Sequence, residues 1–206
     1  MTNTVNCRNF RLMKILRILV LGGARSGKSR YALKLAESLC RKPLYVATAE
    51  ALDREMEARI AAHKSARSRR WACAEEPLEI ARLITQAGKL FPSREILLID
   101  CMTLWLSNVL YKEGAKSFKQ RKESLLKAIR NSSRTLIMVS NEVGLGIVPA
   151  SEDGRQFRDL AGWLNQDLAA AADTVVFVAS GLPMALKGRM PEDGLGPAAG
   201  DFNNRD

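Results

Sequence analysis

The sequence predicts an α/β domain in which a mostly parallel sheet is covered by helices on both faces. Three observations lead to this prediction. Short apolar runs, typical of buried strands, alternate along the chain with segments of helical periodicity. The first run leads directly into a glycine-rich loop that opens a helix. The chain has 206 residues, of which 47% are hydrophobic and 26% charged, and these values suit one ordinary globular core.

The first half of the chain predicts two strand–helix units. The apolar run Ile15–Leu21 predicts a strand, and Lys28–Cys40 predicts a helix because its apolar residues recur at three- and four-residue spacing. Pro43–Thr48 predicts a second strand. Leu52–Lys64 predicts a second helix, in which acidic residues precede basic ones, the order that the helix dipole favours.

The second half of the chain continues the alternation. Three further apolar runs predict strands, over Glu95–Cys101, Thr135–Ser140 and Thr174–Ser180. Four further segments with helical spacing of their apolar residues predict helices, over Pro77–Lys89, Thr103–Tyr111, Lys119–Asn131 and Gln156–Ala172.

The two ends of the chain differ from the domain between them. Residues 1–14 are a basic extension without the apolar segment of a secretory signal, residues 15–187 form the domain, and residues 188–206 predict a flexible tail. No apolar run is long enough to predict a membrane span. The four cysteines are scattered, which argues against zinc and disulfides and favours the cytoplasm. A net charge of +10 favours anionic partners.

The loop after the first predicted strand carries the clearest motif. GGARSGKS, residues 22–29, satisfies the pattern G-x-x-x-x-G-K-[ST] between a strand and a helix. Successive backbone N–H groups and the helix N-terminus can surround a chain of phosphates there. Lys28 would contact the β- and γ-phosphates, and Ser29 would help to hold Mg²⁺. A glycine turn that matches by chance is the alternative, and it leaves the flanking strand and helix unexplained.

Asp100 ends the third predicted strand, where a carboxylate that helps to hold the metal is expected in such proteins. Thr48 and Ser140 end two other predicted strands. Because open parallel sheets bind ligands beyond the carboxyl ends of their strands, these three residues are expected at the same edge as the phosphate loop. Ser29 and Asp100 are therefore the candidate Mg²⁺ ligands.

His63 is the only histidine, and five cations surround it in the sequence, at Arg59, Lys64, Arg67, Arg69 and Arg70. Nearby positive charge disfavours the imidazolium form, whereas the end of a helix favours it. A neutral ring nitrogen can attack phosphorus, and the cations would stabilise the departing pyrophosphate. The alternative is an incidental histidine that lies partly buried at the end of a helix.

Five blocks of sequence occur in order between Ile18 and about Lys187. They are GGARSGKSRYA, YVATAEALDREMEARIAAHKSAR, DCMTLWLSNVL, SNEVGLGIVP and FRDLAGWLNQDLAAAADTVVFVASGLP. Together they resemble the bifunctional adenosylcobinamide kinase / adenosylcobinamide-phosphate guanylyltransferase family of cobalamin biosynthesis. The blocks are long and span nearly the whole domain, so the resemblance is specific.

The resemblance implies a RecA-like P-loop sheet with one antiparallel edge strand, a homotrimer and two reactions. ATP or GTP gives its γ-phosphoryl group to adenosylcobinamide, and GTP then gives GMP to adenosylcobinamide-phosphate through a GMP-histidine intermediate. The guanylylated histidine corresponds to His63. The implied GTP contacts are Gly22, Gly23, Ala24, Arg25, Ser26, Gly27, Lys28, Ser29, Ala47, Thr48, Ala49, Lys64, Ser65, Ala66, Arg67, Glu75 and Asp100.

Two other functions share part of this pattern. A P-loop kinase of another small metabolite would use residues 22–29 but leave His63 and SNEVGLGIVP unexplained. A nucleic-acid-dependent ATPase would suit the charge of +10, but it calls for aromatic residues interleaved with basic ones on an exposed surface. The few aromatic residues lie mostly in apolar runs, so nucleic acid is not the expected partner.

Overall fold

The computed structural model describes residues 15–40, 42–50, 54, 68 and 70–190. Its strands, numbered in chain order, are β1 (Arg17–Gly22), β2 (Leu44–Ala47), β3 (Ala72–Glu75), β4 (Ile96–Asp100), β5 (Thr135–Asn141), β6 (Thr174–Ala179) and β7 (Leu182–Lys187). Its helices are α1 (Lys28–Leu39), α2 (Ile80–Leu90), α3 (Met102–Glu113), α4 (Ala115–Arg130) and α5 (Glu152–Ala171).

The seven strands of the described residues form one sheet in the order β3-β2-β4-β5-β1-β6-β7. The first six of these run parallel, and β7 pairs antiparallel with β6 at one edge. The predicted mostly parallel sheet and the antiparallel edge strand implied by the resemblance are both confirmed. Strand β5 lies between β1, which leads into the phosphate loop, and β4, which ends at Asp100.

Both faces of the sheet are covered, as the apolar runs predicted. Successive residues of a strand point to opposite faces, so a strand with two buried faces is apolar throughout. In β1, Ile18 and Val20 pack with helix α1 in one core cluster, whereas Leu19 and Leu21 pack in a second cluster with α2, α3, α4 and α5. The carboxyl ends of the central strands are thereby fixed between two packed layers.

All five strands predicted from apolar runs are present, but the pattern did not predict the two edge strands. Strand β3 has alternating, only partly buried residues, and β7 is mostly exposed, so neither forms a continuous apolar run. Helix α4 begins four residues before the predicted start at Lys119. Helix α5 begins at Glu152 because Ser151 caps it, its Oγ accepting a bond from the backbone N–H of Gly154.

Some predictions fall partly or wholly outside the described residues. The predicted helix Leu52–Lys64 and the basic extension 1–14 are among them. The beginning of the predicted tail contacts the domain, since Thr174 donates to the carbonyl of Arg189 and Met190 packs beside helix α1. Residues 191–206 lie outside the described part of the chain. Among the helices that are described, none is both long and apolar enough to cross a membrane.

Candidate functional site

The phosphate loop closes tightly over the end of β1. The loop has a left-handed residue at Gly27, with φ of 91°, and another at Arg25, with φ of 55°. A Cβ atom on Gly22 would lie 2.5 Å from both the Oγ of Ser26 and the carbonyl oxygen of Val178. Glycine is therefore required at residue 22 by close packing and favoured at residue 27 by its backbone conformation. No side chain caps helix α1, so its first N–H groups are available to an anion.

Lys28 is buried in this loop, with 8% of its surface exposed. Its Nζ donates to the carbonyl of Gly23 at 3.0 Å, so the side chain lies back along the loop. Burial lowers the pKa of the Lys28 ammonium, and the nearby Cys101 and Asp100 side chains partly oppose this shift. A buried cation with one carbonyl partner retains N–H donors that an incoming phosphate can use.

The side chain of Ser26 is a second feature of the loop that indicates a polar ligand. Its Oγ is buried and has no hydrogen-bond partner among the described residues. The backbone of Ser26 is held by the N–H of Gly181, at 2.8 Å, in the turn between β6 and β7. Buried hydroxyl groups rarely lack a partner, so a ligand with oxygen acceptors fits this position.

Asp100 ends β4, and its charge is close enough to Lys28 to oppose the lowering of the Lys28 pKa. Tyr45 donates its hydroxyl to the Oδ2 of Asp100 at 3.1 Å, which orients the carboxylate. The peptide bond between Asp100 and Cys101 is cis. Among the described residues, His, Cys, Asp and Glu side chains form no cluster of three that could hold a metal by themselves. Mg²⁺ commonly takes only one or two protein ligands and completes its coordination with phosphates and water, so Ser29 and Asp100 fit this ion.

A buried polar network anchors the strand between Asp100 and the phosphate loop. Ser140, near the end of β5, donates to the Oδ1 of Asn165 at 2.7 Å and lies 3.1 Å from the Oγ1 of Thr103. The Oγ1 of Thr103 accepts a hydrogen bond from the backbone N–H of Asn141, and the Nδ2 of Asn165 donates to the backbone carbonyl of Asn141. Sequence reasoning identified Ser140 as a strand end but missed its partners, because they lie 25 or more residues away in the chain.

The second predicted contact segment follows β2. Ala47 is in register with Glu75 on one side and with Asp100 on the other. Thr48 is fully buried, and its Oγ1 accepts the N–H of Cys101 at 2.7 Å and donates to the carbonyl of Cys101 at 2.8 Å. The side chain of Thr48 therefore ties the end of β2 to the residue after Asp100.

The structure brings the phosphate loop, the Ala47–Ala49 segment and Asp100 to the side of the sheet where the parallel strands have their carboxyl ends. Glu75 lies at the carboxyl end of β3, and β2 separates it from β4 and Asp100. At the usual spacing of strands the backbones of Glu75 and Asp100 are about 10 Å apart. The Glu75 side chain is exposed. Five of the predicted site residues lie outside the described residues, namely His63, Lys64, Ser65, Ala66 and Arg67.

The fold and this site define a nucleotide-binding P-loop protein with a RecA-like sheet. The solved structure of the RadB recombinase has a similar fold, with a TM-score of 0.52 at 15% identity over 87% of this chain and 84% of that chain. Residues 18–186 match the model of the family described as cobinamide kinase / cobinamide phosphate guanyltransferase. The chain belongs to this family.

Two curated relatives agree with the family match. The chain is 43% identical over 173 residues to the bifunctional adenosylcobalamin biosynthesis protein CobP of Pseudomonas aeruginosa, covering 84% of this chain and 98% of the relative. It is 40% identical over 185 residues to the bifunctional adenosylcobalamin biosynthesis protein CobU of Salmonella typhimurium, covering 84% of this chain and the whole of the relative.

Proposed function

We propose that this enzyme phosphorylates adenosylcobinamide with ATP or GTP and then transfers GMP from GTP to adenosylcobinamide-phosphate. The products of the second reaction are adenosylcobinamide-GDP and pyrophosphate. One observation carries the proposal. A buried lysine and an unpartnered serine hydroxyl line a phosphate loop near Asp100, in a chain whose residues 18–186 match the family model.

In the kinase step, the chain chiefly positions the reactants and stabilises charge. The backbone of the phosphate loop would surround the β- and γ-phosphates, and Lys28 would turn from the Gly23 carbonyl to contact them. Ser29 and Asp100 would hold Mg²⁺, which neutralises charge on the phosphates when bound. The acceptor hydroxyl attacks the γ-phosphorus, the bond between that phosphorus and the β–γ bridging oxygen breaks, and the nucleoside diphosphate leaves with the electron pair. The hydroxyl proton passes to solvent.

In the guanylyl step, His63 is the proposed nucleophile, because the guanylylated histidine implied by the family resemblance corresponds to it, and the chain has no other histidine. A neutral ring nitrogen attacks the α-phosphorus of GTP, a nitrogen–phosphorus bond forms, and pyrophosphate leaves with the electron pair of the broken bond. A phosphate oxygen of adenosylcobinamide-phosphate then attacks the same phosphorus and releases the imidazole. Lys64, Ser65, Ala66 and Arg67 are proposed to contact GTP beside it, together with Ala47, Thr48, Ala49 and Glu75.

A covalent adduct tests this function directly. The protein incubated with GTP and Mg²⁺ should gain the mass of one GMP per chain, in a linkage that acid breaks and base does not. Protonation of the bridging nitrogen makes imidazole a good leaving group, which explains the acid lability. The His63→Ala variant should gain no GMP. An adduct that persists in that variant, or one that base removes, would assign the nucleophile to another residue.

Assembly and location follow the same proposal. We expect a homotrimer in the cytoplasm, with small-molecule substrates and no nucleic-acid partner. Light scattering should give a particle of three times the 22.8 kDa chain mass. A monomeric particle that retains both activities would contradict the trimer.

A further inference from the structure

Helix α3 contains a buried asparagine, Asn108, for which the sequence predicted no role. Asn108 has 8% of its surface exposed. Its Nδ2 donates to the carbonyl of Thr48 at 2.8 Å and to the carbonyl of Pro77 at 3.2 Å. An amide nitrogen has two hydrogens, so both donors of Asn108 are used. These bonds join α3 to the chain just beyond β2 and just beyond β3.

The two carbonyls flank the proposed nucleotide contacts that are farthest from the phosphate loop. Thr48 is the middle residue of the Ala47–Ala49 segment, and Pro77 lies two residues after Glu75. The same region is tied by two further bonds. Glu76 donates its N–H to the carbonyl of Ala47 at 2.8 Å, and Trp105 of α3 donates its Nε1 to the carbonyl of Leu78 at 2.9 Å.

The phosphate loop is held in a different way. Its hydrogen bonds among the described residues are made within the loop, to α1, to Glu142 after β5 and to Gly181 before β7. None of these bonds involves α3. The phosphate loop therefore has no direct hydrogen bond to α3 among the described residues, whereas Asn108 bonds directly to the half of the site at β2 and β3.

We propose that Asn108 is a positioning residue that fixes the wall formed by the segments after β2 and β3, and so sets affinity for the nucleoside part of the nucleotide. The inference rests on the proposed function, because it takes Ala47–Ala49 and Glu75 as GTP contacts. Removal of the Asn108 amide leaves two carbonyls without this donor, so we expect both segments to shift towards other donors. The phosphate loop keeps all its bonds, so triphosphate binding is preserved.

Two probes separate the halves of the site in solution. Calorimetry with Mg²⁺ would measure the Kd of GTP and of inorganic tripolyphosphate, which has no nucleoside. For Asn108→Ala we expect GTP binding to weaken about tenfold or more and tripolyphosphate binding to stay within about twofold of the parent. Asn108→Leu keeps a similar volume and removes both donors, so it gives the same test if the alanine variant does not fold.

Val109→Ala is the matched control, since Val109 is the fully buried next residue of α3. It should lower the Tm and leave both Kd values unchanged. GTP affinity within about twofold of the parent in the Asn108 variants would overturn the inference, and so would equal weakening of GTP and tripolyphosphate. A parent protein that binds tripolyphosphate but not GTP would overturn the proposed function itself, and this inference with it.

Discussion

Replacement of Lys28 by methionine should separate ligand binding from folding. The side chains are similar in length, so the variant removes the ammonium and leaves the apolar part of the side chain in place. A charge-assisted hydrogen bond is worth roughly 1.5–3 kcal/mol, which corresponds to a loss of about 10- to 150-fold in affinity for ATP or GTP. Phosphoryl transfer should fall further, by about 10²–10³, because charge at the transferring group is greatest in the transition state.

The free energy of unfolding of the ligand-free protein should change little. Methionine loses the bond from Lys28 to the Gly23 carbonyl, worth about 1 kcal/mol, but it also removes a buried ammonium. Burial lowers the pKa of Lys28, so the unfolded chain binds this proton more readily than the folded chain. The parent should therefore gain stability as pH rises from that lowered pKa towards the ordinary value of 10.5, and the variant should lack this gain.

The assay combines calorimetric titration with ATP and GTP, initial rates of cobinamide phosphorylation, and thermal unfolding. Lys34→Met is the matched control, because Lys34 lies on the exposed face of the same helix. It should match the parent in all three measurements. If Lys28→Met keeps nucleotide affinity within about twofold and phosphorylates at the parent rate, the assignment of the phosphate loop is refuted.

Three further outcomes are expected. Asp100→Asn should reduce turnover about tenfold or more, with a smaller loss of nucleotide affinity. If turnover and its dependence on Mg²⁺ concentration are both unchanged, Asp100 is not part of the site. Gly22→Ala should lower the free energy of unfolding by about 1–3 kcal/mol, because the new methyl group would overlap the Ser26 side chain. An unaltered Tm in thermal unfolding would contradict this packing. Burial raises the pKa of the Cys101 thiol to about 12, whereas Cys73 is exposed. Iodoacetamide at pH 8 should therefore label Cys73 and not Cys101, as measured by peptide mass spectrometry. Rapid labelling of Cys101 would contradict its burial.

The sequence by itself determined the fold class and the phosphate loop, because both are local. A strand buried on two faces must be apolar along its whole length, so β1, β4 and β5 were visible as runs. The loop at residues 22–29 needs Gly22 for close packing and Gly27 for a left-handed turn, and these needs appear directly as a motif. The role of His63 is also a prediction from sequence, and it remains one.

Only the tertiary structure decided which distant residues meet at the site. Local pattern cannot place β5 between β1 and β4, because the order of strands depends on how the whole sheet packs. The apolar pattern missed the edge strands β3 and β7, because an exposed edge buries too little surface to need an apolar run, and only the family resemblance implied the antiparallel one. The bond from Tyr45 to Asp100 spans 55 residues and the bond from Asn108 to Thr48 spans 60. Such contacts leave no periodicity in the sequence, since they are formed only when separate elements pack together.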